Sequence, residues 1–328
     1  MTTAALTLGV DLGGSQVRVA LVDTAGQVLR LHVRPTAVEH GPEAIVSELV
    51  ACVRDACLPD GGAVLGVGVG VAGQVDRAGV VQGAPNLGWK QFPLRARLET
   101  ALEVPVAVLN DVQAAAFGEH AFGAGRGVDE LVCLFIGTGV GGGVITRGTL
   151  LQGCTGSAAE LGHLTVDPNG PPCRCGNRGC LEAFAGGWAI ARRARAAVAA
   201  ARGGGAVLLE LAGGAPDQVT AATVVKAAGL RDPLSEQILR EVGEALGIGI
   251  ASIVNAFNPC ILVLGGGVMA GMSEWIEVAS QAVRSRALAA NAAGVRVLPA
   301  ALGSRAGVIG AAAWAAAMFD QPRDHPSS

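Results

Sequence analysis

LTLGVDLGGSQVRVALV, residues 6–22, decides how this chain folds. Two runs rich in Val and Leu, LTLGVDL and QVRVALVD, flank Asp11-Leu12-Gly13-Gly14-Ser15. β-branched and aliphatic runs bounded by glycine read as strands, so the glycines turn one strand into the next. A Walker loop or a dinucleotide fingerprint needs a strand feeding a helix N-terminus, and neither is present. A Gly-Gly-Ser hairpin tip can still place backbone N–H groups and a hydroxyl around a phosphate. The Asp11 carboxylate beside it could hold Mg²⁺ through water. The same residues also read as a plain hairpin turn, for which Gly-Gly is ordinary.

The device recurs. Gly137-Thr138-Gly139-Val140-Gly141-Gly142-Gly143 joins ELVCLFIGTG to GGGVITRG. Two such hairpins, one per half, suggest two similar domains facing a cleft. Gly265-Gly266-Gly267 ends the apolar run CILVLGGGV and precedes a helix. Bare backbone there could lie flat on an adenine or ribose, or serve only as a strand-to-helix turn. Between these points VLRLHVRP, AVLGVGVGV, VPVAVLND and VRVLPAAL read as strands. GPEAIVSELVACVRDA, PLRARLETAL, QAAAFGEHAFG, PLSEQILREVGEALGIGIASIVNAF and an Ala-rich segment near 307–319 read as helices. AGQVDRAG (72–79) and the low-complexity GGGAVLLELAGGAPDQ (203–218) read as loops. Strands alternating with helices make this an α/β chain with packed sheets.

The 328 residues allow two domains and a sizeable core. Glycine is abundant, 49 residues, about twice the usual share. Net charge is -3, with no basic stripe, which argues against a nucleic-acid partner. Neither a signal peptide nor an apolar span of ~20 residues stands out, so a cytoplasmic protein without membrane attachment is expected. In that compartment the eight cysteines should be reduced. Cys52, Cys57, Cys133, Cys154 and Cys260 are dispersed and read as buried, inert thiols. The other three, Cys173, Cys175 and Cys180, fall within HLTVDPNGPPCRCGNRGCLE (163–182), ten residues after His163. Asn110-Asp111 ends a buried strand, where α/β sheets present chemistry. An aspartate there also suits a helix N-cap.

In order, DLGGS, LND, IGTGVGGG, ELGH, CRCGNRGCLE and VLGGG resemble the ROK family of repressors, open reading frames and sugar kinases. PNLGW (85–89) looks most like its bacterial glucokinase branch. The resemblance covers about residues 5–315, and the cysteine motif with its histidine is the most specific part. It implies an actin-like, hexokinase-like ATPase fold. A smaller α/β domain over 1–120 would be completed by the helix at 307–319. A larger one over 121–306 would carry the zinc loop 163–180, and 320–328 would be a disordered tail. It implies phosphorylation of glucose at the 6-hydroxyl by ATP, with Mg²⁺ accompanying the nucleotide. Mannose, fructose, N-acetylglucosamine and N-acetylmannosamine are alternative acceptors, and polyphosphate an alternative donor.

The resemblance also assigns residues. Asp111 becomes the general base, and Asn110, Glu160, His163 and Glu182 become sugar contacts, with Gly73 and Asn86 lining the same pocket. Asp11, Gly13, Gly14, Ser15, Gly137, Thr138, Gly139, Gly265, Gly266 and Gly267 would hold the nucleotide and its metal. His163, Cys173, Cys175 and Cys180 form a Cys3His set, the closed tetrahedral kind that holds structural zinc. A reducible disulfide or free thiols would be the competing reading. His163 would give one ring nitrogen to zinc and the other to the sugar. The first loop reads DLGGS where DxGGT is usual, which keeps the hydroxyl. DNA-binding members carry a helix-turn-helix ahead of the kinase-like part, and here DLGGS falls within the first fifteen residues, which favours a kinase over a repressor. A non-catalytic sugar-binding protein is a third reading. The family further implies a homodimer or homotetramer.

Overall fold

The alternation of β-branched residues and glycine turns into a sheet at once. The computed structural model describes residues 6–57, 64–200, 205–270 and 274–320. β1 (Leu6–Leu12) and β2 (Gln16–Val22) are antiparallel, with Asp11 opposite Arg18. β3 (Val28–Pro35) continues antiparallel beyond β2. α1 (Pro42–Ala56) starts with proline at its first turn, where a missing N–H costs nothing. β4 (Val64–Val71) runs parallel to β1. The segment expected to be a loop at 72–79 instead opens a small sheet of β5 (Gln74–Val75), β6 (Val81–Ala84) and β7 (Trp89–Phe92). Strands of two to four residues are too short to show a period. α2 (Leu94–Leu102), β8 (Val106–Asn110) and α3 (Asp111–Phe122) follow, and the main sheet is ordered β3-β2-β1-β4-β8.

β9 (Leu131–Ile136), β10 (Val140–Thr146) and β11 (Thr149–Leu150) begin the same pattern again. Several short helices follow: α4 (Leu181–Ala185), α5 (Gly187–Ala199), α6 (Ala206–Leu211) and α7 (Ala221–Gly229). α6 lies within 203–218, expected to be a featureless loop, and buries Leu208 from its apolar run; residues 203 and 204 lie outside the described ones. α8 (Pro233–Phe257) is capped by Asp232, whose carboxylate accepts from Ser235 N at 2.9 Å. Its stripe of Leu234, Ile238, Val242, Leu246, Ile250 and Val254 is buried at helical spacing. β12 (Ile261–Gly265), α9 (Gly267–Ala270), α10 (Trp275–Arg286), α11 (Ala289–Gly294) and β13 (Arg296–Pro299) complete the second sheet. Its order, β11-β10-β9-β12-β13, repeats that of the first, with β12 parallel to β9 and β13.

The chain divides into two units. One holds the described residues up to Gly127, Gly143–Ala159 and those from Ala301 onward; the other holds Val128–Gly142 and Glu160–Ala300. The division therefore differs from the expected 1–120 and 121–306, since 143–159 belongs with the first unit. Of the expected tail, Asp320 closes the last helix and 321–328 lie outside the described residues. No helix among the described residues is long and apolar enough to cross a membrane.

In the first unit the closing helix, α12 (Ala306–Phe319), lies on β1, β4 and α3. Gly9 and Gly68 sit side by side in the register of β1 and β4. A Cβ on Gly9 would overlap the carbonyl oxygen of Val308, and one on Gly68 that of Ala311. The helix backbone thus rests directly on the sheet. Glu119 of α3 is fully buried. Its carboxylate accepts from Ala124 N at 2.9 Å, Ala301 N at 3.0 Å and Leu302 N at 2.8 Å, which compensates its desolvation. Gly68→Ala is expected to lower stability by about 2 kcal/mol, as overpacking against backbone does. Gly294→Ala, where a Cβ would meet nothing within 4 Å, serves as the neutral control. Thermal midpoints of the two variants check this, and an unshifted Gly68→Ala would rule out the close seat.

Candidate active site

Asp111 opens α3 directly after β8. The helix is capped by Asn110 and not by Asp111: Asn110 Oδ1 accepts from Val112 N at 2.9 Å and Gln113 N at 3.1 Å. Asn110 Nδ2 donates to Gly73 O at 3.1 Å and to Asp111 Oδ1 at 2.9 Å. One side chain therefore caps the helix, pins the loop at Gly73 and orients the aspartate. Asp111 Oδ1 also accepts from Val112 N at 2.9 Å. Burial, then the nearby Asp11 carboxylate, pushes the Asp111 pKa up to about 6, and these hydrogen bonds oppose the rise. Asp11 is itself raised by burial, against the pull of Arg18, whose Nη1 lies 3.1 Å from its Oδ2. Nothing in the sequence singled out Arg18.

The first glycine tip belongs to this unit. Gly13 N donates to Gln16 O at 3.0 Å, and Thr36 Oγ1 donates to Gly13 O at 2.7 Å. Ser15 is exposed and Gly14 half-buried, and a Cβ on Gly14 would come within 2.8 Å of Asn86 Cβ. The structure thus brings Asp11, the Gly13–Ser15 tip, Gly73, Asn86, Asn110 and Asp111 into one unit.

The second unit holds the other predicted residues. Cys173 Sγ lies 3.8 Å from His163 Nδ1, and Cys175 Sγ lies 3.7 Å from Cys180 Sγ. All four donor atoms lie within 4.8 Å of one another. Tetrahedral zinc with bonds of about 2.3 Å to sulfur has edges of about 3.8 Å, so the donor set fits that ion. His163 Nε2 faces away from Cys173's partner nitrogen and lies 4.0 Å from Glu160 Oε2. Burial raises the Glu160 pKa, the His163 ring opposes this, and Glu182 adds to it. Glu182 Oε2 accepts from Val140 N at 2.9 Å and Oε1 from Trp188 Nε1 at 3.1 Å. None of the eight cysteines is in a disulfide. Cys154 and Cys260 are exposed, contrary to expectation, because they sit in the turns after Gly153 and Pro259.

A cavity of about 890 Å³ opens in the second unit, a volume that suits a nucleotide. Gly137, Thr138 and Gly267 line it, together with Trp188, Arg195 and Lys226. The two cations favour an anionic ligand. Gly139 does not line it; a Cβ there would overlap Glu182 Oε2. Gly265 and Gly266 do not line it either. Gly265 leaves room for Phe135 and Ala300, and Gly266 turns the chain at φ +95°. Trp188, Arg195 and Lys226 carried no sequence signal, because α5 and α7 meet at the cavity only through tertiary packing.

Two sheets of the same strand order, each with a glycine-tipped hairpin, and a nucleotide-sized cavity in the second unit define an α/β protein with room for a nucleotide. The chain belongs to the ROK family, whose match spans residues 7–318. It is 37% identical over 309 residues to a glucokinase of Streptomyces coelicolor, covering 94% of this chain and 96% of that one. It is 40% identical over 263 residues to a glucokinase of Thermotoga maritima, covering 80% and 81%. Among solved structures it resembles a ROK family glucokinase from Streptomyces griseus in complex with glucose and AMPPNP. That match has a TM-score of 0.79 and 36% identity, over 94% of this chain and 99% of the other.

The purified protein is expected to carry one zinc per chain by elemental analysis. Cys175→Ser should lose the metal and melt at lower temperature, because metal binding and local folding are coupled. A Cys175→Ser variant that kept a full zinc complement would refute the ligand set.

Proposed function

We propose that this chain is an ATP-dependent glucokinase of the cytoplasm, with Asp111 as the general base. The observation that carries the reading is the Asp111 carboxylate, half-buried, held by Asn110 and raised to about 6. A base of that pKa is largely ionised at neutral pH yet still basic enough to take a proton. Asp111 takes the proton of the glucose 6-hydroxyl as that oxygen bonds to the γ-phosphorus of ATP. The bond from that phosphorus to the β,γ-bridging oxygen breaks, and ADP leaves. Asp11 and the Gly13–Ser15 tip would hold Mg²⁺ and phosphate, and that charge stabilisation is what phosphoryl transfer chiefly needs. Glu160, His163 and Glu182 would grip sugar hydroxyls, with zinc bound by His163, Cys173, Cys175 and Cys180 ordering the loop they stand on. The glucokinases among the relatives, and the glucose and AMPPNP of the Streptomyces griseus complex, support glucose and ATP over the other acceptors and donors. An ADP-coupled assay across a hexose panel tests this, and no turnover with any hexose would overturn it.

Asp111→Asn is expected to lower kcat by about 10²–10⁴-fold or more, since an amide cannot accept the proton. Asn110 is the helix cap and is untouched, so the variant should fold. Wild-type kcat/KM should fall as pH drops through about 6, as the base is protonated. Stability should move the other way. A folded pKa above the unfolded 3.8 means the protonated form is favoured in the fold. That contribution is full below the unfolded value and is lost as pH rises through about 6. The ligand-free Asn variant should therefore be more stable than wild type at pH 8, by on the order of 3 kcal/mol, and equal to it below the unfolded value of 3.8. A near-normal kcat would remove Asp111 from the chemistry. Glu160→Gln should chiefly raise the sugar KM, by about ten-fold or more, for loss of a charge-assisted hydrogen bond.

A further inference from the structure

Trp188 stands where three parts of the second unit meet. Its backbone N donates to Thr138 O at 3.1 Å, and Gly187 N donates to Gly137 O at 2.9 Å, so the start of α5 is fastened to the second glycine tip. Its ring packs on the cluster of Cys173, Cys180 and Ala183. The guanidinium groups of Arg174 and Arg192 lie over the ring at 4.6 and 4.8 Å from its centroid, which holds the ring plane. The same side chain lines the 890 Å³ cavity. Its indole Nε1 donates to Glu182 Oε1 at 3.1 Å, while Val140 N donates to Oε2 at 2.9 Å.

Each oxygen of Glu182 thus holds one protein donor and keeps capacity for another. A carboxylate held by Val140 N alone can swing about that bond. A second donor on the other oxygen removes the freedom before any ligand arrives, and a group already fixed loses less on binding. We propose that Trp188 is the positioning residue of sugar recognition: its indole N–H fixes the Glu182 carboxylate and ties it to the wall of the nucleotide cavity. The proposal rests on the reading of Glu182 as a sugar contact.

Trp188→Phe keeps a ring against the cysteines and the cavity and removes only the donor. In the zinc-loaded full-length enzyme it is expected to raise the glucose KM about ten-fold, as loss of a hydrogen bond to a charged group does. The KM for ATP, kcat and zinc content should stay within two-fold or so. Trp188→His, which retains a ring N–H, should recover part of the loss. In a Glu182→Gln background, Trp188→Phe should add little, because residues acting through one another are not additive. An unchanged glucose KM in Trp188→Phe, or the same cost in both backgrounds, would overturn the proposal while leaving the glucokinase reading intact. Loss of zinc from Trp188→Phe would also overturn it, since the tryptophan would then act by holding the loop. A wild-type protein that phosphorylates no hexose would overturn the glucokinase reading, and this role with it.

Discussion

The contact between α12 and the first sheet is the constraint on which the first unit depends. Gly9 and Gly68 remove two side chains at adjacent register positions, and the helix backbone drops into the space. The same helix meets α3 backbone to backbone at Gly310, where a Cβ would overlap the carbonyl oxygen of Ala114. Small residues on all three surfaces explain why an Ala-rich helix, poor in large side chains, can still be core: close approach replaces bulk with many short contacts. The consequence reaches the chemistry, because α3 carries Asn110 and Asp111 at its start and Glu119 near its end. Glu119 fastens Ala301 and Leu302, the residues that lead into α12. The far end of the sequence is thereby needed to fix the position of Asp111.

Asp111 is the counterpart of that rigidity. A sequence optimised for stability would not set a second half-buried carboxylate near Asp11 and leave Arg18 to neutralise only one of them. Its raised pKa means that the fold resists the charge that the proposed chemistry requires. Asn110 makes this tolerable by taking over the helix cap, so the aspartate is excused from the ordinary duty of its position. Local rules broken in a way that packing alone does not reward are what functional sites look like.

Much of this was legible in the sequence where the signal is local. The β1–β2 tip at 11–15 and its echo at 137–143 announce themselves because Val- and Leu-rich runs flank them. α8 shows its period over twenty-five residues and its Asp-Pro start. Cys173, Cys175, Cys180 and His163 lie within eighteen positions, so ligand types and spacing suffice. The rest is tertiary. β5 to β7 are too short to carry a pattern. Residues 143–159 lie just short of the middle of the chain, between two segments of the second unit, yet belong to the first unit, which no linear division could anticipate. Trp188 and Lys226 meet at one cavity from different helices. Gly139, Gly265 and Gly266 also make room for Glu182, for Phe135 and for a turn, and a glycine gives the same sequence signal for these uses as for a ligand contact.

The loop between Glu160 and Glu182 has almost no core of its own. Arg174, Cys175, Gly176, Asn177 and Arg178 are all exposed, and the apolar cluster beneath them is Cys173, Cys180 and Ala183 with Trp188 against it. Hydrophobic burial on that scale cannot order twenty residues against their backbone entropy. Backbone bonds help: Val166 N donates to Gly179 O at 2.8 Å, and Leu181 N to Leu164 O at 2.8 Å, closing the two ends of the loop. Nearer the tip Gly179 N donates to Pro171 O and Cys173 N to Asn177 O, both at 2.8 Å, but these bonds tie the loop to itself. Four donor atoms within 4.8 Å of one another stand around the tip, and a metal held by them would add what the core lacks, because a metal's binding energy is also folding energy. Under the proposed function such a metal would be what keeps Glu160 and Glu182, at opposite ends of the segment, in the one electrostatic environment they share.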